Sequence, residues 1–174
     1  HSGYSDRNAQ WVLDGKAMIW SSDRAGYRSH GSWGSERDVY IMFFDAEAYD
    51  KFKLSKEELS LLEEAEGKDK DKDKDKDKDK EVKESTVAPL KFDLENRRDR
   101  IIRLTRHSSS LGDAVLSPKG DKLYYCASFE KGPDLWVHDL KDHSTQILLK
   151  GIGGESLIAD KKVENLYLSA QGQP

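Results

Sequence analysis

The sequence predicts an all-β fold built from repeated antiparallel units, and three observations carry that prediction. A glycine turn followed by an aromatic or β-branched strand occurs twice and begins a third time. The best-aligned copies stand one repeat period apart. Once a single charged tract is set aside, the two flanks that remain hold ordinary aromatic and β-branched content.

In the first copy, Leu13-Asp14-Gly15-Lys16 is the turn and Ala17-Met18-Ile19-Trp20-Ser21-Ser22 the strand that leaves it. A second strand follows at Asp38-Val39-Tyr40-Ile41-Met42-Phe43, joined to the first by the polar residues 23–37. The later copy has Ser117-Pro118-Lys119-Gly120-Asp121 as its turn, then Lys122-Leu123-Tyr124-Tyr125-Cys126-Ala127 and Asp134-Leu135-Trp136-Val137-His138-Asp139. Aligning the glycines sets Met18 on Leu123 and Trp20 on Tyr125, and aligning the next strands sets Asp38 on Asp134. Each pair is followed by a short apolar strand, residues 100–105 in one case and 145–149 in the other.

A third copy starts at Gly154, with Ser156-Leu157-Ile158-Ala159 and then Asn165-Leu166-Tyr167-Leu168-Ser169. Leu123 and Leu166 are 43 residues apart, within the roughly 40–45 residue period of a four-stranded propeller blade. The expectation is a partial β-propeller of about two and a half four-stranded antiparallel blades. Residues 8–45 supply three strands of the first blade, 46–90 an insertion, and 91–110 its fourth strand and a connector. Residues 111–151 form the second blade and 152–174 part of a third. Such repeats bury no core alone and need neighbours.

Within the insertion, Ser55 is placed as an N-cap, Glu58 as its capping-box partner, and Leu54 to staple against Leu59. A short helix is expected to about Glu66, ended by Gly67. Residues 68–80 alternate lysine and aspartate, with no apolar content to offset chain entropy, so disorder is expected there.

Composition excludes several functions. The 174 residues are 36% hydrophobic with a formal net charge of −4, which leaves no basic field for nucleic acid or an anionic membrane. No apolar run approaches the roughly 18 residues of a bilayer span. The chain opens at His1 with no signal-peptide pattern and reads as an excised segment. The lone Cys126 has no cysteine partner for a disulfide or a zinc site, and reads as a small core residue.

Several clusters contain chemically capable residue types. Asp69, Asp71, Asp73 and Asp75 alternate as calcium ligands do, but lysine fills every gap and the loop glycine and terminal glutamate are missing. His107, Ser108, Ser109, Ser110 and Asp113 hold the types of a serine triad. Triads assemble from distant chain positions, so a local cluster reads as an inter-blade loop. Gly151-Ile152-Gly153-Gly154 is followed by a strand, not a helix, and so reads as a tight crossing rather than a phosphate cradle. His138 and His143 are spaced across a strand and a turn, which does not aim both rings at one metal.

Of the tryptophans, which could together form an aromatic ligand platform, Trp20 and Trp136 lie in strands and read as packing between blades. Trp33, among glycines in the hairpin, is the plausible contact residue, and Trp11 precedes the first turn. No catalytic residue, cofactor or metal site is assigned, and no binding residue is specified.

The run Asp14-Gly15-Lys16, then Ile19-Trp20-Ser21-Ser22-Asp23-Arg24-Ala25-Gly26, then Asp38-Val39-Tyr40-Ile41-Met42, resembles the repeat of TolB-type propellers. Phe92-Asp93-Leu94-Glu95-Asn96, leading to Arg100-Ile101-Ile102-Arg103-Leu104-Thr105 after a charged insertion, is similar to bacterial tricorn protease homologues. The resemblance implies a non-catalytic propeller segment of a serine peptidase, giving scaffold and peptide access to a protease site in another domain. It implies peptides or unfolded segments, the remaining blades and the protease domain as partners, and the periplasm or cell envelope as compartment, with cytoplasm the alternative. The alternative function is a TolB-like module for protein–protein binding. An incomplete ring also leaves apolar faces open, which predicts self-association.

Overall fold

The computed structural model describes residues 3–28, 34–73, 90, 92–129, 132–154, 156–160 and 163–169. The described residues are mostly β, with three antiparallel sheets and two α-helices. The first sheet holds β1 (Asp6–Val12), β2 (Ala17–Ser22), β3 (Asp38–Phe43) and β4 (Ile101–Arg103), in that spatial order. The second holds β5 (Ser110–Leu116), β6 (Lys122–Ser128), β7 (Asp134–Asp139) and β8 (Ser144–Leu149), again in sequence order. The third pairs β9 (Ser156–Ala159) with β10 (Leu166–Ser169).

The two glycine turns do what their sequence asks. Gly15 and Gly120 sit at φ 82° and 71°, in the left-handed region where a side chain would be strained. Ser117 closes the second turn, its Oγ accepting from the backbone N–H groups of Asp121 and Lys122 at 3.1 and 2.9 Å.

Strand register decides which residues share a face, because side chains alternate along a strand. In the first sheet Ile19 pairs with Ile41 and Ala17 with Phe43 on one face, while Trp20 pairs with Tyr40 on the other. In the second sheet Tyr125 pairs with Trp136 on one face, and Cys126 with Leu135 on the other. The Ile19–Ile41–Phe43 face packs on Leu123 and Tyr125. Cys126, Leu135 and Val115, on the reverse of the second sheet, pack on Leu157, Leu166 and Leu168 of the third. The sheets therefore stack in series, with the second covered on both sides.

Strand ends do not coincide with the segment boundaries read from sequence. The first sheet begins at Asp6 rather than residue 8, and β5 takes in Ser110, which was expected to belong to the connector. The insertion is more structured than expected. Helix α1 (Ala46–Lys53) precedes the expected one, with Asp45 accepting from Ala48 N–H at 2.7 Å as its N-cap. Its rings Tyr49 and Phe52 pack on Phe43, with centroids 5.6 and 5.0 Å away.

Helix α2 (Lys56–Asp73) starts with the expected capping box, Ser55 N–H to Glu58 at 2.8 Å and Glu58 N–H to Ser55 Oγ at 3.2 Å. It continues through Gly67 to Asp73 instead of stopping near Glu66. A mid-helix glycine costs only about 1 kcal/mol, too little by itself to end the helix. The rest of the lysine–aspartate tract, from residue 74, lies outside the described residues, as does Trp33.

Two basic side chains tie the insertion down. Lys141, in the β7–β8 turn, donates to the carbonyls of Phe52 and Leu54 at 2.7 and 2.8 Å, where the end of α1 leaves orphan acceptors. Where the chain returns, the buried Arg100 donates to the carbonyls of Phe43 and Asp93 at 3.2 and 2.6 Å and pairs with the Asp93 carboxylate at 3.3 Å. Arg100 thus delivers β4 to the edge of β3.

The start of β3 holds the other end of β4. Asp38 is fully buried. Its Oδ1 accepts from Arg103 Nε at 2.9 Å and Thr105 Oγ1 at 2.7 Å, and its Oδ2 from Ser108 Oγ at 2.8 Å. At the aligned position of the second unit, Asp134 accepts from Gly151 N–H at 2.8 Å. In both units the aspartate that opens the third strand holds the chain as it leaves the fourth. Arg103 is 36% exposed, so removing Asp38 costs less than breaking a fully buried pair, roughly 2–3 kcal/mol from the buried donors left without an acceptor. Asp38→Ala is accordingly expected to lower the unfolding free energy by about that amount in urea titrations, against about 1 kcal/mol for Ser108→Ala. Equal small losses for both would contradict this account of Asp38.

Candidate functional site

The residues with triad chemistry are drawn to different partners. Ser108 donates to Asp38, as above. Asp113 accepts from Asn8 Nδ2 at 3.1 Å and from Leu157 N–H at 3.2 Å, and His107 is exposed. Among the described residues no serine hydroxyl bonds a histidine ring. The glycine run likewise has its own partners: Gly151 N–H serves the Asp134 carboxylate, and Ile152 N–H bonds Pro133 O at 3.0 Å.

His138 and His143 part company too. His138 is buried, with Nδ1 3.0 Å from Ser144 O and 2.8 Å from Thr145 Oγ1. His143 occupies the neighbouring turn, and its carbonyl accepts from Arg106 at 2.7 Å. Among the described residues no three His, Cys, Asp or Glu side chains are grouped to hold a metal ion.

What the structure does bring together is the first strand of each sheet. Both β1 and β5 carry a bulge, between Arg7 and Gln10 in one and between Leu111 and Ala114 in the other. A bulge re-aims the side chains within it. Asn8 and Asp113 lie in the two bulges, and they bond each other. Because Asp113 also takes the N–H of Leu157 in β9, one carboxylate joins β1, β5 and β9. Between Asn8, Gln10, Ser21 and Gly112 lies a cavity of about 10 Å³, room for about one water molecule.

At the far end of β1, Trp11 is 56% exposed and Phe92 48%. Their centroids are 6.0 Å apart, and both rings contact the buried Phe44, at 5.2 and 5.7 Å. This cluster is an exposed aromatic surface beside the edge strand β1. It combines Trp11 with Phe44 and Phe92, residues far apart in sequence that hold together because Asp93 N–H bonds Phe44 O at 2.7 Å.

The other two described tryptophans, Trp20 and Trp136, pack within the fold. Trp136 packs against the core between the first two sheets, as expected, and donates to Ala127 O at 3.3 Å. Trp20 stacks on Tyr40 at 5.8 Å under the Arg24 guanidinium, on the face of the first sheet that no described sheet covers.

A wider groove of about 880 Å³ runs between the two helices and the sheet turns. Leu13, Phe52 and Leu59 line it, with Lys119, Asp121 and Lys141 among its charged residues. Its lining offers hydrophobic contact and mixed charge. Neither a protein-family model nor a curated protein matches the chain. The class defined by the structure is thus architectural, a mostly β protein of stacked antiparallel sheets whose first strands converge on one surface.

Burial holds the His138 imidazole below the ordinary histidine value of 6.5, helped by the nearby charge of Arg106. The folded state therefore binds the proton less readily than the unfolded chain. His138 contributes full stability above about pH 6.5, and that contribution is lost as pH falls toward its lower folded value. Thermal unfolding midpoints measured from about pH 7 down to about pH 5 should fall more steeply for the native chain than for His138→Gln. Parallel curves would remove His138 from the pH response.

Proposed function

We propose that the chain is a non-catalytic segment of a β-propeller, whose role is scaffold and peptide access for a serine peptidase site of the tricorn type in another domain. The observation that carries the propeller reading is the repeated stacking. The face of the first sheet bearing Ile19 and Ile41 packs on the face of the second bearing Tyr125 and Trp136. The reverse of the second packs in the same sense on Leu166 and Leu168, which align with Leu123 and Tyr125.

That rule leaves two matching faces on which no described sheet packs. Trp20 and Tyr40 at one end occupy the positions of Tyr125 and Trp136 but lie under Arg24, with Tyr40 7% exposed, whereas Ile158 and Tyr167 at the other end are 61% and 58% exposed. Repeated sheets stacked by one rule, each twisted relative to the last, wind about an axis and cover such faces with further blades. Convergence of β1, β5 and β9 agrees with first strands placed nearest that axis.

Peptide access is supported by the same strands. Edge strand β1 is exposed along most of its length, and the Trp11–Phe92 cluster stands at its end, a combination suited to an extended chain with apolar side chains. The serine peptidase assignment rests on the resemblance of residues 92–105.

Sedimentation velocity over a range of concentrations tests the propeller reading. The chain is expected to self-associate through its open faces, and Ile158→Lys with Tyr167→Lys to reduce that association. Adding further repeats at both ends should raise the melting temperature. A compact monomer at high concentration that gains nothing from extension would sink the reading.

A further inference from the structure

Two side-chain polar atoms among the described residues are buried without a hydrogen-bond partner, Arg37 Nε and Ser109 Oγ. They belong to one cross-strand pair. Arg37 and Ser109 form an isolated antiparallel bridge, with N–H to O bonds of 2.8 and 3.2 Å in the two directions. Residues opposed in this way send their side chains to the same side, from Cα atoms about 5.5 Å apart. Arg37 leaves the backbone on the side of Val39, toward the second sheet, and Asp38 leaves on the other.

Each orphan alone is costly, and the guanidinium is always charged. The buried and half-buried carboxylates of the first two units are already engaged. Asp38 is held by Arg103, Thr105 and Ser108; Asp113 by Asn8 and Leu157; and Asp23 by Ser5 N–H and Arg28. Glu36, next to Arg37 in the chain, is exposed. Arg37 makes no ion pair among the described residues.

The Nε–H can only donate and the serine hydroxyl can donate, so one acceptor between them satisfies both. A water accepts both bonds but brings no charge to match the guanidinium. We propose that Arg37 and Ser109 form a binding site for a small oxyanion, which takes a charge-assisted bond from Arg37 Nε–H and a second bond from the Ser109 hydroxyl. The chemistry is that of a sulfate or phosphate group or a carboxylate, supplied as a free ion or by an acidic side chain of a bound peptide.

The experiment follows the Arg37 Nε–H resonance by NMR while sodium sulfate is titrated against sodium chloride at matched ionic strength. A saturable shift confined to Arg37, with affinity about tenfold weaker in Ser109→Ala, supports the site. Arg37→Gln should abolish the sulfate-specific rise in melting temperature that the native chain shows. A shift linear in salt, or one shared by the other arginines, would overturn the proposal in favour of water at the pair. If Arg37→Gln does not fold, the native and Ser109→Ala titrations still decide. A second arm compares a short glutamate-containing peptide with its glutamine counterpart. A shift at lower concentration for the glutamate peptide assigns the anion to a peptide, and a response to sulfate alone assigns it to a free ion.

Discussion

The Asp38 carboxylate is the interaction on which the order of the first two sheets depends. A carboxylate taken wholly out of water costs several kcal/mol unless its lone pairs are filled and its charge is matched. All its donors come from Arg103, Thr105 and Ser108, the segment that ends β4 and leads into β5. Satisfying Asp38 therefore fixes where the chain leaves one sheet and enters the next. Asp134 performs the same task with a single backbone N–H from Gly151, a weaker version that lets the second connection be short and glycine-rich.

From that anchor the stacking follows. With the connector held, β5 lies beside β1, and the Asn8–Asp113 bond joins the two bulges. Apolar faces then meet because register has already sorted them. Ile19, Ile41 and Phe43 all lie on the side that meets Leu123 and Tyr125, and no single slip of one residue could preserve that match. The buried Cys126 fits the same logic as a small side chain between the second and third sheets.

The insertion between β3 and β4 is tolerated for a related reason. Lengthening a loop adds little closure entropy, about 0.6 kcal/mol for each doubling, provided its ends are held. Here Phe43 receives the rings of α1 on one side, and Arg100 clamps the returning chain to Phe43 O on the other. Lys141 ties the end of α1 to the second sheet, so the inserted helices share in the contact between units.

Strands, turns and the capping box of α2 were legible in the sequence because each depends on near neighbours: β-branched and aromatic runs, Gly15 and Gly120, Ser55 with Glu58. The repeat itself was legible through Leu123 and Leu166. Helix α1 went unread, although Asp45 with Ala48, Tyr49 and Phe52 was a usable signal, because the run is short and its apolar side is stabilised only by Phe43. The partners of Ser108, Asp113 and Gly151, the meeting of Trp11 with Phe92, and the isolation of Arg37 with Ser109 were decided by tertiary structure alone. Those contacts join residues brought close by strand pairing and sheet stacking, and no local preference of the chain encodes which side chain will lie across the gap.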